Sequence, residues 1–276
     1  MFGARTGQVA VGGSPMYYNL FGRGTDPLVL IPGLGDGLRT VKGMAPMMAW
    51  MFRAYAREYR VWVFSRKDVL EPGTTTRDMA RDLADAMDQL GIPEARVMGV
   101  SQGGMIAQWL AIDAPERIGR LAIAVSLATQ NETVQAVIRN WVRLAEEDRF
   151  GDMAVDTMLK TYTEKGLRRW KPFMWLVRRT GRPQSKERFL VQARSCLTHD
   201  ALSELGRIRC PTLVIGGARD HVVGGAETQE VMAAAIPGSR LHIYPEYGHG
   251  AYEEAKDFNE VVLDFFRGDA PAPNGG

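Results

Sequence analysis

The stretch Gly99-Val100-Ser101-Gln102-Gly103-Gly104 decides the fold of this chain. The apolar run at residues 96–100 predicts a strand that leads into it, and a helical pattern continues from residue 102 to residue 114. A serine between a strand and a helix, with glycines beside it, is typical of a strained turn that projects a nucleophile from the end of a strand. We therefore predict that Ser101 is a catalytic nucleophile.

Apolar runs alternate with helical patterns on both sides of this turn. Further strands are predicted at residues 27–31, 60–65, 121–126, 211–216 and 240–244, and helices at residues 76–90 and 256–266. This alternation predicts an α/β fold in which a mostly parallel sheet is covered by helices on both faces. The apolar residues 16–21 are expected to add an antiparallel hairpin at the sheet edge.

One long segment, residues 127–205, interrupts the alternation. It contains helical patterns, no convincing strand, and the tryptophans Trp141, Trp170 and Trp175. We expect it to form a helical cap inserted into the α/β core, which residues 1–126 and 206–267 would build. Residues 268–276 are rich in Gly, Pro and Ala and are expected to be a disordered tail.

A serine hydroxyl is a weak nucleophile and needs an adjacent base. In this arrangement the chain order is nucleophile, acid, histidine. His249 directly follows the predicted strand 240–244, so its loop is able to reach Ser101. The other three histidines fit less well and are better explained as surface or packed structural residues; they are His199, His221 and His242.

The acid of the triad is expected after a core strand and before His249. Asp220 meets both conditions because it follows the predicted strand 211–216. The other position open to an acid, after the strand 121–126, offers no carboxylate before Glu132. Asp220 is therefore predicted to orient the imidazole and to stabilise its protonated form. The alternative is an aspartate in a surface turn.

The turn Pro32-Gly33-Leu34-Gly35-Asp36-Gly37 follows the first predicted parallel strand. Acyl transfer needs two N–H donors aimed at the developing oxyanion. One is expected from Gln102, the residue after the nucleophile, and the other from Leu34, with Gly33 and Gly35 beside the substrate. The alternative interpretation is a flexible surface turn.

These motifs, in this order, resemble the α/β-hydrolase superfamily, and most closely its small bacterial esterases and 3-oxoadipate enol-lactonase-like members. The resemblance extends from about residue 16 to residue 266, is weak in the cap, and rests on residues 31–35, 99–107, 213–220 and 248–249. It implies an eight-stranded sheet, a helical lid, no cofactor and no metal. It also implies the roles given above to Ser101, Asp220, His249, Leu34 and Gln102.

The chain departs from this family pattern at two places. Pro32 stands where many relatives have a histidine before the oxyanion glycine. After the second parallel strand, residues 65–73 keep Arg66 but lack the glycines that many relatives carry. The loop is therefore expected to border the pocket differently, and a substrate cannot be carried over.

The predicted function is hydrolysis of a carboxylic ester or lactone through an acyl-enzyme intermediate on Ser101. Two alternatives stay open. The same residues would serve a C–C bond hydrolase, an amidase or a perhydrolase. A non-catalytic ligand-binding protein could also retain the triad, because fold alone does not fix function.

The pocket is expected to be formed partly by Met44, Trp141 and Trp175. Met44 belongs to a methionine cluster with Met47, Met48 and Met51, for which ordinary core packing is the favoured interpretation and a pocket wall the alternative.

Eleven basic residues lie between Lys160 and Arg194, opposed only by Glu164 and Glu187. A solvated face of the cap is the favoured interpretation. Attraction of a carboxylate substrate, or contact of residues 171–179 with a membrane surface, are the alternatives.

Composition limits the partners. The net charge of +2 gives no argument for nucleic acid, and two cysteines do not indicate a disulfide framework. No apolar run approaches the roughly 20 residues that span a bilayer, and the first residues do not read as a signal peptide. We expect a cytoplasmic chain whose partner is a small molecule, not a membrane.

Overall fold

Eight strands form one continuous sheet in the computed structural model, which describes residues 1–268. They are β1 (Arg5–Val11), β2 (Ser14–Phe21), β3 (Pro27–Ile31), β4 (Arg60–Lys67), β5 (Ala95–Val100), β6 (Ile118–Ala124), β7 (Thr212–Gly217) and β8 (Arg240–Tyr244). The strand order is β1-β2-β4-β3-β5-β6-β7-β8. Pairing is antiparallel from β1 to β4 and parallel through the rest of the sheet. The predicted α/β fold with a mostly parallel sheet is confirmed.

Both faces of the sheet are buried, because neighbouring side chains of a strand point to opposite faces. In β3, Leu28 and Leu30 pack in one apolar cluster, whereas Val29 and Ile31 pack in another. A strand buried on both faces must be a continuous apolar run rather than an alternating one. This is the pattern from which the parallel strands were predicted.

Helices cover the two faces and fill the connections. They are α1 (Gly35–Leu38), α2 (Ala45–Met51), α3 (Arg53–Ala56), α4 (Thr76–Gln89), α5 (Gln102–Asp113), α6 (Glu132–Glu146), α7 (Phe150–Thr161), α8 (Glu164–Trp170), α9 (Met174–Thr180), α10 (Lys186–Leu197), α11 (Ala226–Ala235), α12 (Ala251–Glu254) and α13 (Phe258–Arg267). Short 3₁₀ turns lie at Pro115–Arg117, Lys171–Phe173 and Leu202–Arg207. None of the helices in residues 1–268 has the length and apolar character needed to cross a membrane.

Local signals set the ends of α4. The Thr75 and Asp78 side chains each accept a hydrogen bond from the other residue's backbone N–H, which forms a capping box. Met79 and Leu83 lie one turn apart on the buried face. Gly91 has a φ of +67°, which lets the chain reverse after the last turn.

The sheet differs from the sequence prediction at two places. The strand β1 is additional, because its polar and glycine-containing sequence RTGQVAV lies at the sheet edge and is partly exposed. The strand β6 ends at Ala124 rather than at residue 126, because Val125 adopts a φ of +43° that breaks the extended conformation.

The segment between β6 and β7 folds into α6 to α10 and contains no strand among the described residues. Val134, Ile138 and Trp141 of α6 share an apolar cluster with Phe189 of α10. We call this helical segment the cap; its extent as a unit, residues 127–205, stays a prediction. Of the tail predicted at residues 268–276, residues 269–276 lie outside the described chain.

Candidate active site

Ser101 stands on the turn between β5 and α5. Its φ of +54° and ψ of −119° form a backbone conformation that costs about 1–3 kcal/mol and is held only by its surroundings. Two glycines make room for it: a Cβ on Gly99 would overlap the Gly103 carbonyl oxygen, and one on Gly103 would overlap the Ile31 carbonyl oxygen. The predicted strand–turn–helix context of Ser101 is therefore present.

The side chains of Ser101, His249 and Asp220 form one hydrogen-bonded chain. His249 Nε2 lies 3.1 Å from Ser101 Oγ, and His249 Nδ1 lies 2.8 Å from Asp220 Oδ2. The three residues follow β5, β8 and β7, whose carboxyl ends lie at one edge of the parallel sheet. The sequence-predicted triad is thus brought together with the spacing that proton transfer requires.

The backbone fixes the remaining oxygen of Asp220. Oδ1 accepts hydrogen bonds from the N–H groups of Val222 at 2.8 Å and Val223 at 3.0 Å. Asp220 is buried, with 4% of its surface exposed. The carboxylate therefore keeps Oδ2 directed at His249.

The other histidines lie elsewhere, in structural surroundings. His199 Nδ1 lies 2.9 Å from Thr76 Oγ1, and burial lowers the pKa of His199 to about 4. His242 packs edge-on against Tyr244 within β8, and His221 is exposed. Their placement agrees with the structural interpretation preferred from the sequence.

The predicted oxyanion donors lie beside Ser101. Gly33 is so close that a Cβ added to it would lie 3.3 Å from the Ser101 Cβ. The neighbouring N–H groups of Asp36 and Gly37 are bonded within the turn, whereas those of Leu34 and Gln102 donate no hydrogen bond within residues 1–268. The N–H groups of Leu34 and Gln102 therefore stay the predicted donors to an oxyanion formed on Ser101.

Ser126, which was not predicted as a site residue, orients one of these donors. Its Oγ donates a 2.8 Å hydrogen bond to the Ser101 carbonyl oxygen. That carbonyl and the Gln102 N–H belong to one planar peptide unit, so a bond to the first fixes the direction of the second. No local sequence motif signals this contact, because residue 126 meets residue 101 only through the pairing of β5 with β6.

Arg66 bridges the two backbone segments that carry the predicted donors. Its Nη2 donates to the Pro32 carbonyl oxygen at 2.6 Å and to Gln102 Oε1 at 2.9 Å. Burial lowers the pKa of Arg66 to about 10, which still leaves the guanidinium charged at neutral pH. The sequence retained this arginine as a family feature, but its partners follow only from the fold.

Asp36 joins this bridge to the cap. Its Oδ2 accepts from the Arg66 backbone N–H at 3.1 Å and from Arg188 Nη2 at 2.6 Å. Arg188 belongs to α10 and is buried, so the interpretation of the basic segment as a solvated face is wrong for this residue. Its guanidinium donates hydrogen bonds to Asp36 and to the backbone carbonyls of residues 66 and 67, which take the place of bonds to water.

A cavity of about 460 Å³ opens onto Ser101 and His249. The predicted pocket residues Gly33, Gly35, Met44 and Trp141 line it, together with Leu34. So do several residues that were not singled out as pocket residues: Phe52, Met98, Met158, Tyr162, Tyr252 and Phe258.

The structure changes the interpretation of the methionine cluster and of Trp175. Met48 and Met51 line the cavity with Met44, which favours the pocket-wall interpretation for three of the four clustered methionines, while Met47 is exposed. Trp175 does not line the cavity and was wrongly chosen. It lies on α9 with 65% of its surface exposed, because that helix packs on the outside of α7.

Comparison with known proteins gives a consistent result. Residues 26–256 match the family described as alpha/beta hydrolase fold. The chain is 24% identical over 265 residues to 2-hydroxy-6-oxononadienedioate/2-hydroxy-6-oxononatrienedioate hydrolase 2 of Pseudomonas putida, with 91% of each chain covered. A solved structure of a hydrolase from Pseudomonas aeruginosa PA01 superposes with a TM-score of 0.79 and 26% identity, over 95% of this chain and 98% of that one. The enol-lactonase from Burkholderia xenovorans LB400 has a TM-score of 0.80 at 22% identity, over 95% and 100% of the two chains.

Proposed function

The chain is a hydrolase enzyme that belongs to the alpha/beta hydrolase fold family, and from this premise we propose that it cleaves apolar carboxylic esters or lactones through an acyl-enzyme on Ser101. The observation that carries the proposal is the hydrogen-bonded chain Ser101–His249–Asp220 at the floor of an apolar cavity.

In the acylation step, His249 Nε2 takes the proton of Ser101 Oγ as the oxygen attacks the substrate carbonyl carbon. The carbonyl oxygen becomes an oxyanion and accepts hydrogen bonds from the Leu34 and Gln102 N–H groups. Collapse breaks the bond to the alcohol oxygen, which leaves with the proton from His249. Asp220 keeps Nδ1 protonated and stabilises the imidazolium meanwhile.

In the deacylation step, a water molecule gives a proton to His249 Nε2 and attacks the acyl carbon. The bond to Ser101 Oγ breaks, and the serine oxygen takes the proton back. An ester yields a carboxylic acid and an alcohol, whereas a lactone yields a single hydroxy acid.

The cavity wall supports an apolar acyl or alcohol group. Methionine side chains adapt to irregular apolar shapes, and Met44, Met48, Met51 and Met158 all line the cavity. Arg39 is the one lysine or arginine among the described residues of the wall. Burial of methylene groups against this wall is the expected source of substrate affinity.

C–C bond hydrolysis is the second candidate, because the Pseudomonas putida relative is named for a nonadienedioate, a compound with two carboxylates. The charge of the cavity weighs against such a dianion. Arg188, the buried cation of α10, is bonded to Asp36 and does not line the cavity. A dianion would therefore meet the single guanidinium of Arg39.

A substrate panel tests the proposal. We expect kcat/KM for p-nitrophenyl esters to rise by up to about fourfold for each added methylene until the cavity is filled. Simple lactones should also be opened. A dicarboxylate dienol ketone should be a poorer substrate than the best neutral ester, and the reverse order would favour C–C hydrolysis. The Ser101→Ala protein is the control for background hydrolysis.

A further inference from the structure

The outer face of the cap carries exposed aromatic side chains. Trp170, Phe173 and Trp175 are 45%, 53% and 65% exposed, respectively. They lie close together in the chain, on α8, on α9 and on the 3₁₀ turn between them. Clustered exposed apolar groups of this size are uncommon on a free surface and indicate a binding site.

Exposed basic residues lie close to these aromatic residues in the chain. Residues 164–182 contain seven basic residues and one acidic residue, Glu164. Six of the basic side chains form no ion pair with any residue in the described part of the chain; they are Lys165, Arg168, Arg169, Lys171, Arg179 and Arg182. Together with the three rings they form what we call the basic aromatic surface.

The chemistry of this surface fits one occupant. Tryptophan and phenylalanine beside lysine and arginine suit the interface of a bilayer, where the rings enter the headgroup layer and the cations meet lipid phosphates. A second copy of the chain fits poorly, since it would bring two cationic faces together. We propose that the basic aromatic surface binds anionic phospholipid membranes without spanning them, in contrast to the absence of a membrane partner expected from the sequence.

The basic aromatic surface lies near helices that form the wall of the cavity. The helix α9 packs against α7, and Gly151 of α7 lies directly beside the Arg178 backbone. Further along α7, Thr157, Met158 and Thr161 line the cavity. A membrane on the basic aromatic surface, into which apolar esters partition, would therefore contact helices that adjoin the wall of the cavity. Membrane binding itself does not depend on the proposed reaction.

Vesicle flotation tests the proposal directly. The Ser101→Ala protein is mixed with vesicles of phosphatidylcholine, with or without about 30% phosphatidylglycerol. We expect flotation with the anionic vesicles only, and less of it in about 0.5 M NaCl, where surface charges are screened. Absence of flotation with anionic vesicles, or equal flotation with both kinds, would overturn the proposal. Because Ser101→Ala is inactive by design, the result is independent of the substrate panel.

Two variants and two matched controls assign the binding to this surface. The double variant Lys171→Gln/Arg179→Gln should bind anionic vesicles about 30-fold more weakly, at about fivefold for each cation. Trp170→Ala/Trp175→Ala should weaken the binding that remains in high salt. Trp50→Ala, which removes a 58% exposed tryptophan of α2, and Arg81→Gln should bind as the parent does.

Three outcomes with these variants would contradict the assignment. Equal losses in the controls would show that binding is unspecific. Unchanged binding in both double variants would place the site elsewhere. Self-association in sedimentation experiments without vesicles, abolished by Trp170→Ala/Trp175→Ala, would show that a second copy covers this face.

Discussion

The helix α5 of the core and the helix α8 of the cap differ in how much of each is buried. In α5 of the core, eleven of the twelve residues are buried, whereas α8 of the cap buries none of its seven residues. The helix α5 follows the turn of Ser101 and is packed on all sides, whereas α8 lies at the surface of the cap. We therefore expect the core to hold the reacting groups at fixed distances and the cap to determine which substrates bind.

This difference has a kinetic consequence. A substitution in the core site should slow all substrates alike, since each must pass through the same oxyanion. A substitution in the cap should instead change the ratio between substrates and leave the common step intact.

The largest effect is expected for Asp220→Asn. The amide oxygen can still accept from the Val222 and Val223 N–H groups, but the amide nitrogen would face His249 Nδ1 and favour the wrong tautomer. We expect kcat to fall by about 10⁴ for every ester, with an unchanged melting temperature. A loss confined to some esters would mean that Asp220 acts on the substrate and not through His249.

A smaller loss is expected for Arg66→Met, which removes the bridge between Pro32 and Gln102. Because the bridge joins the two segments that carry the predicted oxyanion donors, kcat should fall by about 10²-fold while KM changes little. Affinity for a trifluoromethyl ketone, which forms the tetrahedral adduct, should fall in parallel. A raised KM with unchanged kcat would show that Arg66 serves substrate binding instead.

Met158 and Leu159 are neighbours on α7 with different surroundings. Met158 lines the cavity, whereas Leu159 points outward and is 55% exposed. Met158→Ala enlarges the cavity and should shift the preferred acyl chain to a longer one, changing the ratio of two esters by about fourfold per methylene. Leu159→Ala should leave this ratio as it is. An equal loss for all chain lengths in Met158→Ala would erase the distinction between core and cap.

Stability where the cap rejoins the core should depend on pH. Burial lowers the pKa of His199 from 6.5 to about 4, so the unfolded chain binds its proton more readily than the folded chain does. Stability should therefore be lost as the pH falls from about 6.5 towards 4, by up to about 1.4 kcal/mol per pH unit. Urea unfolding of His199→Asn should show a shallower pH dependence than the parent, and His221→Gln should keep the parent's slope.

The sequence was sufficient for the parts of the core that obey short-range rules. Continuous apolar runs predicted the parallel strands, and the glycines at Gly99 and Gly103 predicted the turn, because no larger residue fits there. The family resemblance drawn from these motifs is confirmed by the match over residues 26–256. The roles of Ser101, Asp220 and His249 stay predictions, supported by their hydrogen-bonded geometry.

The sequence was insufficient where a residue's role depends on distant partners. Arg188 looked like one more cation of a solvated face, but Asp36, far away in the chain, binds it in the interior. Trp175 was chosen as a pocket residue, yet it lies on α9, which packs on α7 and leaves 65% of the Trp175 surface exposed. A pattern of residue types cannot tell which side of a short helix meets the protein.

Covalent labelling tests directly whether Ser101 is the nucleophile. The protein is treated with a fluorophosphonate, and the labelled peptide is identified by mass spectrometry. We expect one phosphonyl group on Ser101, loss of ester hydrolysis in proportion to labelling, and neither labelling nor turnover in Ser101→Ala. Labelling of a different residue, or undiminished ester hydrolysis by Ser101→Ala, would contradict this role of Ser101.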